Sequence, residues 1–139
     1  MSPAEIVRRF YDQIWNAGDL AAIEQVCRPD MRFRGSLGET RHGREEFADY
    51  VRRVRTALSE YHCAIEDTVT EHHRVFAKMR FSGIHRAEFM GFPPTGERVW
   101  WSGAALFEMA SGQIDGLWVL GDLHGLLQRL EAQRCGIAE

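Results

Sequence analysis

The residues able to do chemistry in this chain gather near its C-terminal end, where a strand-like run closes on Gly121-Asp122 and is followed by His124. Strand parity puts Trp118, Leu120 and Asp122 on one side of that run and Leu117, Val119 and Gly121 on the other. A carboxylate among aromatic and aliphatic groups loses hydration, which disfavours its charged form and raises its pKa toward the range a general acid/base uses. Asp122 also immediately precedes a helical pattern, where it could simply cap the helix by accepting backbone N–H groups. Spacing alone leaves both roles open. His85 ends another predicted strand, either as a proton donor to a pocket or as a hydrogen-bonded histidine at the sheet's end.

Gly121-Asp122-Leu123-His124-Gly125 resembles a metal-binding element of the calcineurin-like metallophosphoesterases. A dinuclear centre needs further His, Asp and Asn ligands downstream, and residues 126–139 supply none. His124 shares the polar side of the final helix with Gln128 and Glu131, and His72-His73 sits in a predicted turn, so the expectation is no metal. The serines lack a Gly-x-Ser-x-Gly context and the cysteines an activating neighbour. No glycine-rich phosphate loop is present, so no nucleotide cofactor is signalled.

The elements that must position these groups are legible from periodicity. Ser2-Pro3-Ala4-Glu5 is a capping box, and Ile6, Val7, Phe10, Tyr11, Ile14 and Trp15 recur on one helical face before Gly18. Asp19 caps a short second helix that Pro29 is expected to close. A brief strand, "MRFRG", leads into a loop, and a third helix from about Gly43 turns Phe47, Val51, Val54 and Leu58 inward. The period then changes to two: 62–71, 75–85, 98–109 and 113–120 read as an antiparallel meander. A last helix starts near Leu123. Helices first and a meander after them give an α+β layout with helices on one face of the sheet. The strands at 98–109 and 113–120 are apolar on both faces, so the second face is expected to meet another copy of the chain.

The 139 residues suffice for one domain, 1–139, and carry a formal net charge of −3. That charge and the lack of a basic stripe argue against nucleic acid and anionic membranes. No apolar run approaches the ~20 residues of a membrane span. Three cysteines without a CxxC pair and a polar N-terminus lead to the expectation of a cytoplasmic protein.

Gly83-x-His85, Gly91-x-Pro93-Pro94-Thr95-Gly96, Gly112-x-Ile114 and Trp118-x-x-Gly121-Asp122 together are similar to the signature of the SnoaL-like polyketide cyclases, or ester cyclases. The opening helices resemble that family as well, so the likeness spans nearly the whole chain. It implies the NTF2-like fold, a cone in which N-terminal helices and a strongly bent antiparallel sheet enclose an apolar pocket. It also implies homodimers or larger homo-oligomers built through the sheet. The activity implied is an intramolecular aldol-type cyclisation, or a related proton transfer, on a small apolar carbonyl-bearing molecule without metal or cofactor. Asp122 falls on the family's general acid/base. Related members act as hydroxylases, and a non-catalytic binding protein of the same fold is the rival reading. The third strand offers Ala105 and Phe107, or Leu106 and Glu108, where further polar groups of the cyclases are expected. His85 would polarise the substrate oxygen, and Trp118, Trp101, Phe81, Met79, Phe33 and Trp15 would wall the pocket. The loop holding Met90 and Phe92 is expected either to cover it as a lid or to pack rigidly on its rim.

Overall fold

A computed structural model describes residues 1–136. Helix α1 (Pro3–Arg9) starts as the capping box requires: Ser2 accepts the Glu5 N–H at 3.2 Å, with Pro3 at the first helical position. The helix continues in a wider π-helical winding over Phe10–Asn16, which turns Phe10, Tyr11, Ile14 and Trp15 into the core. Asp19 caps a single 3₁₀ turn (Leu20–Ala22) that runs into α2 (Ile23–Val26).

Strand β1 (Cys27–Arg34) begins earlier than its alternating residues suggest, because α2 ends at Val26 rather than at Pro29. Pro29 lies in the irregular stretch between the pairs Cys27–Ile114 and Arg32–Gly116, where its missing N–H is tolerated. Strand β2 (Thr40–His42) follows in the segment expected to be loop; three polar residues carry no alternation by which to recognise it. Helix α3 (Arg44–Ala57) buries Phe47, Tyr50, Val51, Val54 and Ala57. It passes without a loop into β3 (Leu58–Glu71), so Leu58 is a strand residue rather than a helical one.

Strands β4 (Arg74–His85), β5 (Arg98–Ala110) and β6 (Gln113–Gly121) complete a sheet of order β2-β1-β6-β5-β4-β3. The sheet is mixed, which corrects the all-antiparallel expectation: β1 pairs with β6 in parallel, and every other pair is antiparallel. A parallel partner is reached only through a long crossover, here everything between β1 and β6, and local periodicity does not report it. Breaks of register at Ser59/His62 and Ile65/Asp67 in β3 and at Glu108/Met109 mark where the ladder bends. Ser111 (φ 54°) and Gly112 (φ 76°) turn β5 into β6, both in the left-handed region that a two-residue type I′ hairpin demands.

The parity reading of β4 is realised. Val75, Ala77, Met79, Phe81 and His85 are buried, while Phe76, Lys78 and Arg80 face outward. The concave face packs on α1, its π-helical continuation and α3 through one continuous apolar cluster. Strand β6 ends at Gly121, short of the end of β5, and α4 (Leu123–Arg134) takes over the exposed edge. Three alternate carbonyls of β5 are thereby satisfied: Ser102 by the Asp122 N–H at 2.8 Å, Trp100 by Arg129 Nη1 at 3.2 Å, and Arg98 by Gln133 Nε2 at 2.7 Å. Covering an edge in this way removes a template for unwanted strand pairing.

Candidate functional site

Between the helices and the concave sheet lies a narrow hollow of about 20 Å³, lined by Tyr11, Trp15, Phe33, Ser36, Leu37, Tyr50, Val54, Tyr61, Phe81, Trp101 and Val119. Trp101 stacks on Phe81 with centroids 5.3 Å apart, and its indole N–H donates to Ser36 Oγ at 3.3 Å. Leu37, Tyr50 and Val54 also border an outer cleft of about 190 Å³, whose other walls include Glu39, Arg53, Glu88, Phe89 and Met90. Hollow and cleft thus share Leu37, Tyr50 and Val54 as walls.

Two loops close the mouth of the cone. Residues 35–39 run across it from β1, and Gly121 fits beneath because a Cβ there would lie 2.6 Å from Ser36 O. The 86–97 loop contributes a tight turn in which Phe89 and Phe92 exchange backbone hydrogen bonds at 3.0 and 2.9 Å. Its central residues Met90 and Gly91 have φ of 53° and 83°. Phe89 is buried against Trp101 (5.8 Å between centroids).

Of the residues expected around the pocket, Trp101, Phe81, Phe33 and Trp15 line the hollow. Met79 is fully buried in the core beside them without bordering it. Met90 borders the outer cleft. Phe92 turns the other way, into a groove along α4 with Leu127 and Gln128, where Arg134 stands 5.8 Å over its ring. Trp118 does not line the inner hollow: it is 51% exposed on the outer face, beside Leu106 and under the guanidinium of Arg34 at 5.5 Å, where it borders a separate outer cleft of about 510 Å³ with Arg32, Arg34, Arg41 and Glu46. Both faces of β6 are apolar, and Leu117 and Val119, not Trp118 and Leu120, turn inward.

Asp122 is exposed at the end of β6 and caps α4, its Oδ1 accepting the Gly125 N–H at 3.0 Å. The loop at Ser36 and Leu37 lies between this strand end and the hollow. His85 does not join it. Asp122 donates its N–H to Ser102 O, Ser102 lies opposite Arg80, and His85 is five residues farther along β4. At the rise of a strand that is roughly 17 Å, too far for both groups to act on one atom. The His85 ring is fully buried, edge-on to Phe89 at 6.0 Å, with Thr95 Oγ1 3.3 Å from Nδ1 and no partner at Nε2. Burial holds its pKa below the usual 6.5, opposed by the backbone at Phe92 and Ala87. His124 is exposed, as its helical face indicates.

Tyr11, Tyr50 and Tyr61 were not among the expected site residues, yet all three border the hollow. Burial raises the pKa of each, with the Cys63 thiol adding to the effect on Tyr11 and Tyr61 and the Glu39 carboxylate on Tyr50. All three are therefore neutral donors at physiological pH. The signal was present for Tyr11, on the inward face of the first helix; Tyr50 and Tyr61 required the tertiary arrangement. Burial likewise keeps both inner thiols protonated, Cys27 up to about 12 and Cys63 well above the ordinary range, so neither is a nucleophile. Among the described residues, no cluster of three His, Cys, Asp or Glu side chains could hold a metal ion, and no helix is long and apolar enough to cross a membrane.

A bent mixed sheet wrapped around helices, with an aromatic hollow at its centre, defines an NTF2-like domain. The chain matches the SnoaL-like polyketide cyclase family over residues 5–130 and belongs to it. Its backbone superimposes on IdmH, a candidate polyketide cyclase from Streptomyces antibioticus, with a TM-score of 0.82 at 22% identity, covering 94% of this chain and 99% of that one. A candidate SnoaL-like polyketide cyclase from Jannaschia sp. CCS1 gives 0.84 at 23% identity over 94% and 92% of the chains. AclR from Streptomyces galilaeus, a candidate hydroxylase, gives 0.78 at 22% over 93% and 95%. The chain has no significant match among curated proteins.

Proposed function

We propose that the protein is a catalytic member of its family, an acid/base enzyme acting on a small, mostly apolar, carbonyl-bearing molecule held inside the cone, with Asp122 as the proton-transfer group. The observation that carries this reading is the aromatic hollow, closed on one side by the Ser36–Leu37 loop that stands next to the Asp122 strand end. Displacing that loop opens the hollow toward a carboxylate that uses only Oδ1 for the helix cap. Such a carboxylate removes a proton α to the carbonyl, and the C–H electron pair forms a C=C bond as the carbonyl π pair moves to oxygen. In a cyclisation the enolate carbon then attacks a second carbonyl of the same molecule, and the proton returns to the alkoxide so formed. Holding the two ends together supplies much of the rate.

α-Proton exchange of an aryl-fused ketone such as β-tetralone in D₂O, followed by NMR, tests the first step without the natural substrate. Asp122→Asn keeps an oxygen for the Gly125 N–H, so the fold should persist while exchange falls by about 10²–10⁴-fold. Undiminished exchange by the variant would refute the assignment. A second reading, binding without turnover, draws on the cap itself, since capping alone is a sufficient structural use of Asp122. Saturable ketone binding with no exchange in the wild-type protein would establish it.

The outer face supports an additional proposal, a homodimer formed sheet to sheet. Leu106 stands between Phe76 and Trp118, and Ala104 between Lys78 and Leu120, across three adjacent strands. Phe76, Trp118 and Leu120 are 43, 51 and 53% exposed. An exposed apolar patch of this kind is a natural self-complementary surface.

A further inference from the structure

Tyr11, Tyr50 and Tyr61 reach the hollow from three different elements: the π-helical continuation of α1, α3 and β3. None is more than 6% exposed. Among the described residues their hydroxyls form no hydrogen bond with the protein. None is sealed off either, His85 Nε2 being the one sealed side-chain polar atom without a partner. Each oxygen therefore keeps some open surface, and the space the three residues have in common is the hollow, Tyr50 also bordering the outer cleft. That space, about 20 Å³, is the size of a single water, and a site with several polar neighbours is where a buried water is stable. A hollow of one-oxygen size among unpartnered donors marks the place of a ligand oxygen.

The charge of that oxygen is constrained too. No side chain lining the hollow is ionic. The cations nearest the tyrosines are already committed: Arg55, near Tyr61, to the carbonyls of Trp15 and Asn16, and, near Tyr50, Arg34 to those of Gly35 and Val119 and Arg41 and Arg53 to the Glu39 carboxylate. A carboxylate brought inside would lose its hydration and find no cation, a penalty that a neutral carbonyl escapes. Neutral phenols nevertheless bind an oxygen more strongly as negative charge builds on it, because a hydrogen bond to an anion exceeds one to a neutral acceptor.

We infer that Tyr11, Tyr50 and Tyr61 are the oxygen-recognition set of the pocket, selecting an uncharged ketone or ester carbonyl over a carboxylate and steadying the enolate oxygen made from it. Binding selectivity stands on the hollow alone; the enolate role rests on the acid/base reading above. During the proton transfer the phenols keep their protons: the α-proton goes to the base, the electron pair to the carbonyl oxygen, and the phenol hydrogen bonds shorten. Any ligand larger than water enters by displacing Leu37, which joins the hollow to the 190 Å³ cleft outside.

Three probes of one shape decide the matter by NMR titration: acetophenone, ethylbenzene and benzoate. The wild-type protein should bind acetophenone about tenfold more tightly than the other two, as one to two hydrogen bonds' worth of affinity implies. Tyr11→Phe, Tyr50→Phe and Tyr61→Phe should each weaken acetophenone by about fivefold, roughly one net hydrogen bond, and leave ethylbenzene unchanged. Removing an unpartnered buried hydroxyl should not lower the melting temperature, so loss of fold would not mimic the effect. Equal binding of acetophenone and ethylbenzene, preference for benzoate, no binding of any probe, or insensitivity to all three substitutions would each overturn the inference. Should a variant fail to fold, the ranking of the probes on the wild-type protein still decides. Asp122→Asn should leave that ranking intact, so loss of exchange with the ranking retained indicts the proton-transfer assignment. The converse indicts the tyrosines.

Discussion

The indole N–H of Trp101 in β5 donates to Ser36 Oγ in the loop after β1, across 3.3 Å. This single bond ties the loop over the inner hollow to the strand forming its floor, and Gly121 lets the loop backbone lie against the end of β6. Ser36→Ala leaves the buried indole without its acceptor and should lower stability by about 1–3 kcal/mol. Amide exchange at residues 35–39 should rise more than elsewhere. Unchanged exchange in that loop would show that the bond does not hold it.

The far rim is fastened by Gln133, which donates to Arg98 O at 2.7 Å and places Oε1 3.3 Å from Thr95 Oγ1, itself 3.3 Å from His85 Nδ1. Gln133→Ala breaks this chain at its helical end and exposes a strand carbonyl to solvent. It should cost about 1 kcal/mol, measured by urea denaturation, and speed hydrogen exchange in the 86–97 loop. The Phe89–Phe92 turn should be the first part of the domain to open.

His85 gives stability a pH dependence of definite sign. Its pKa is lowered in the folded protein by burial, so the unfolded chain takes up the proton first. Stability from this residue is intact above about 6.5 and is lost as the pH falls below that value toward the folded pKa. His85→Gln should flatten the melting-temperature profile across this window. A wild-type profile that instead gained stability on acidification from pH 7 to 5.5 would contradict the neutral, buried ring.

Asp122→Ala and Asp122→Asn should separate the cap from the chemistry. Alanine removes the acceptor for the Gly125 N–H and should cost about 1 kcal/mol, whereas asparagine should stay within a few tenths. If both variants were equally destabilised, the interaction with Gly125 would not be the reason.

Leu120→Glu places a carboxylate in the outer patch between Ala104 and solvent. If that patch joins two copies, the variant should sediment at half the mass of the wild-type protein with an unchanged circular dichroism spectrum. Equal masses would remove the sheet-to-sheet assembly from consideration.

The local patterns were decisive where one element settles its own conformation. The capping box starts α1 because Ser2, Pro3 and Glu5 act within a single turn, and the alternation of β4 sorts its inward from its outward side chains without reference to neighbours. The Ser111-Gly112 turn is fixed by the backbone angles that only a few residue types accept. The signature shared with the SnoaL-like cyclases carried the fold and the family, since it fixes turns and strand ends spread over half the chain.

Tertiary structure alone decided what depends on two distant segments. The parallel pairing of β1 with β6 joins residues more than eighty positions apart, and the polar β2 exists only because β1 offers it an edge. Trp118 faces outward because β6 is apolar on both sides, so parity told which residues share a face but not which face looks in. Asp122 and His85, each plausible by type, stand at different levels of the sheet because register, not sequence, sets their separation. The three tyrosines meet for the converse reason. A helix, a second helix and a strand each contribute one tyrosine, and only the closure of the cone brings the three around a common space.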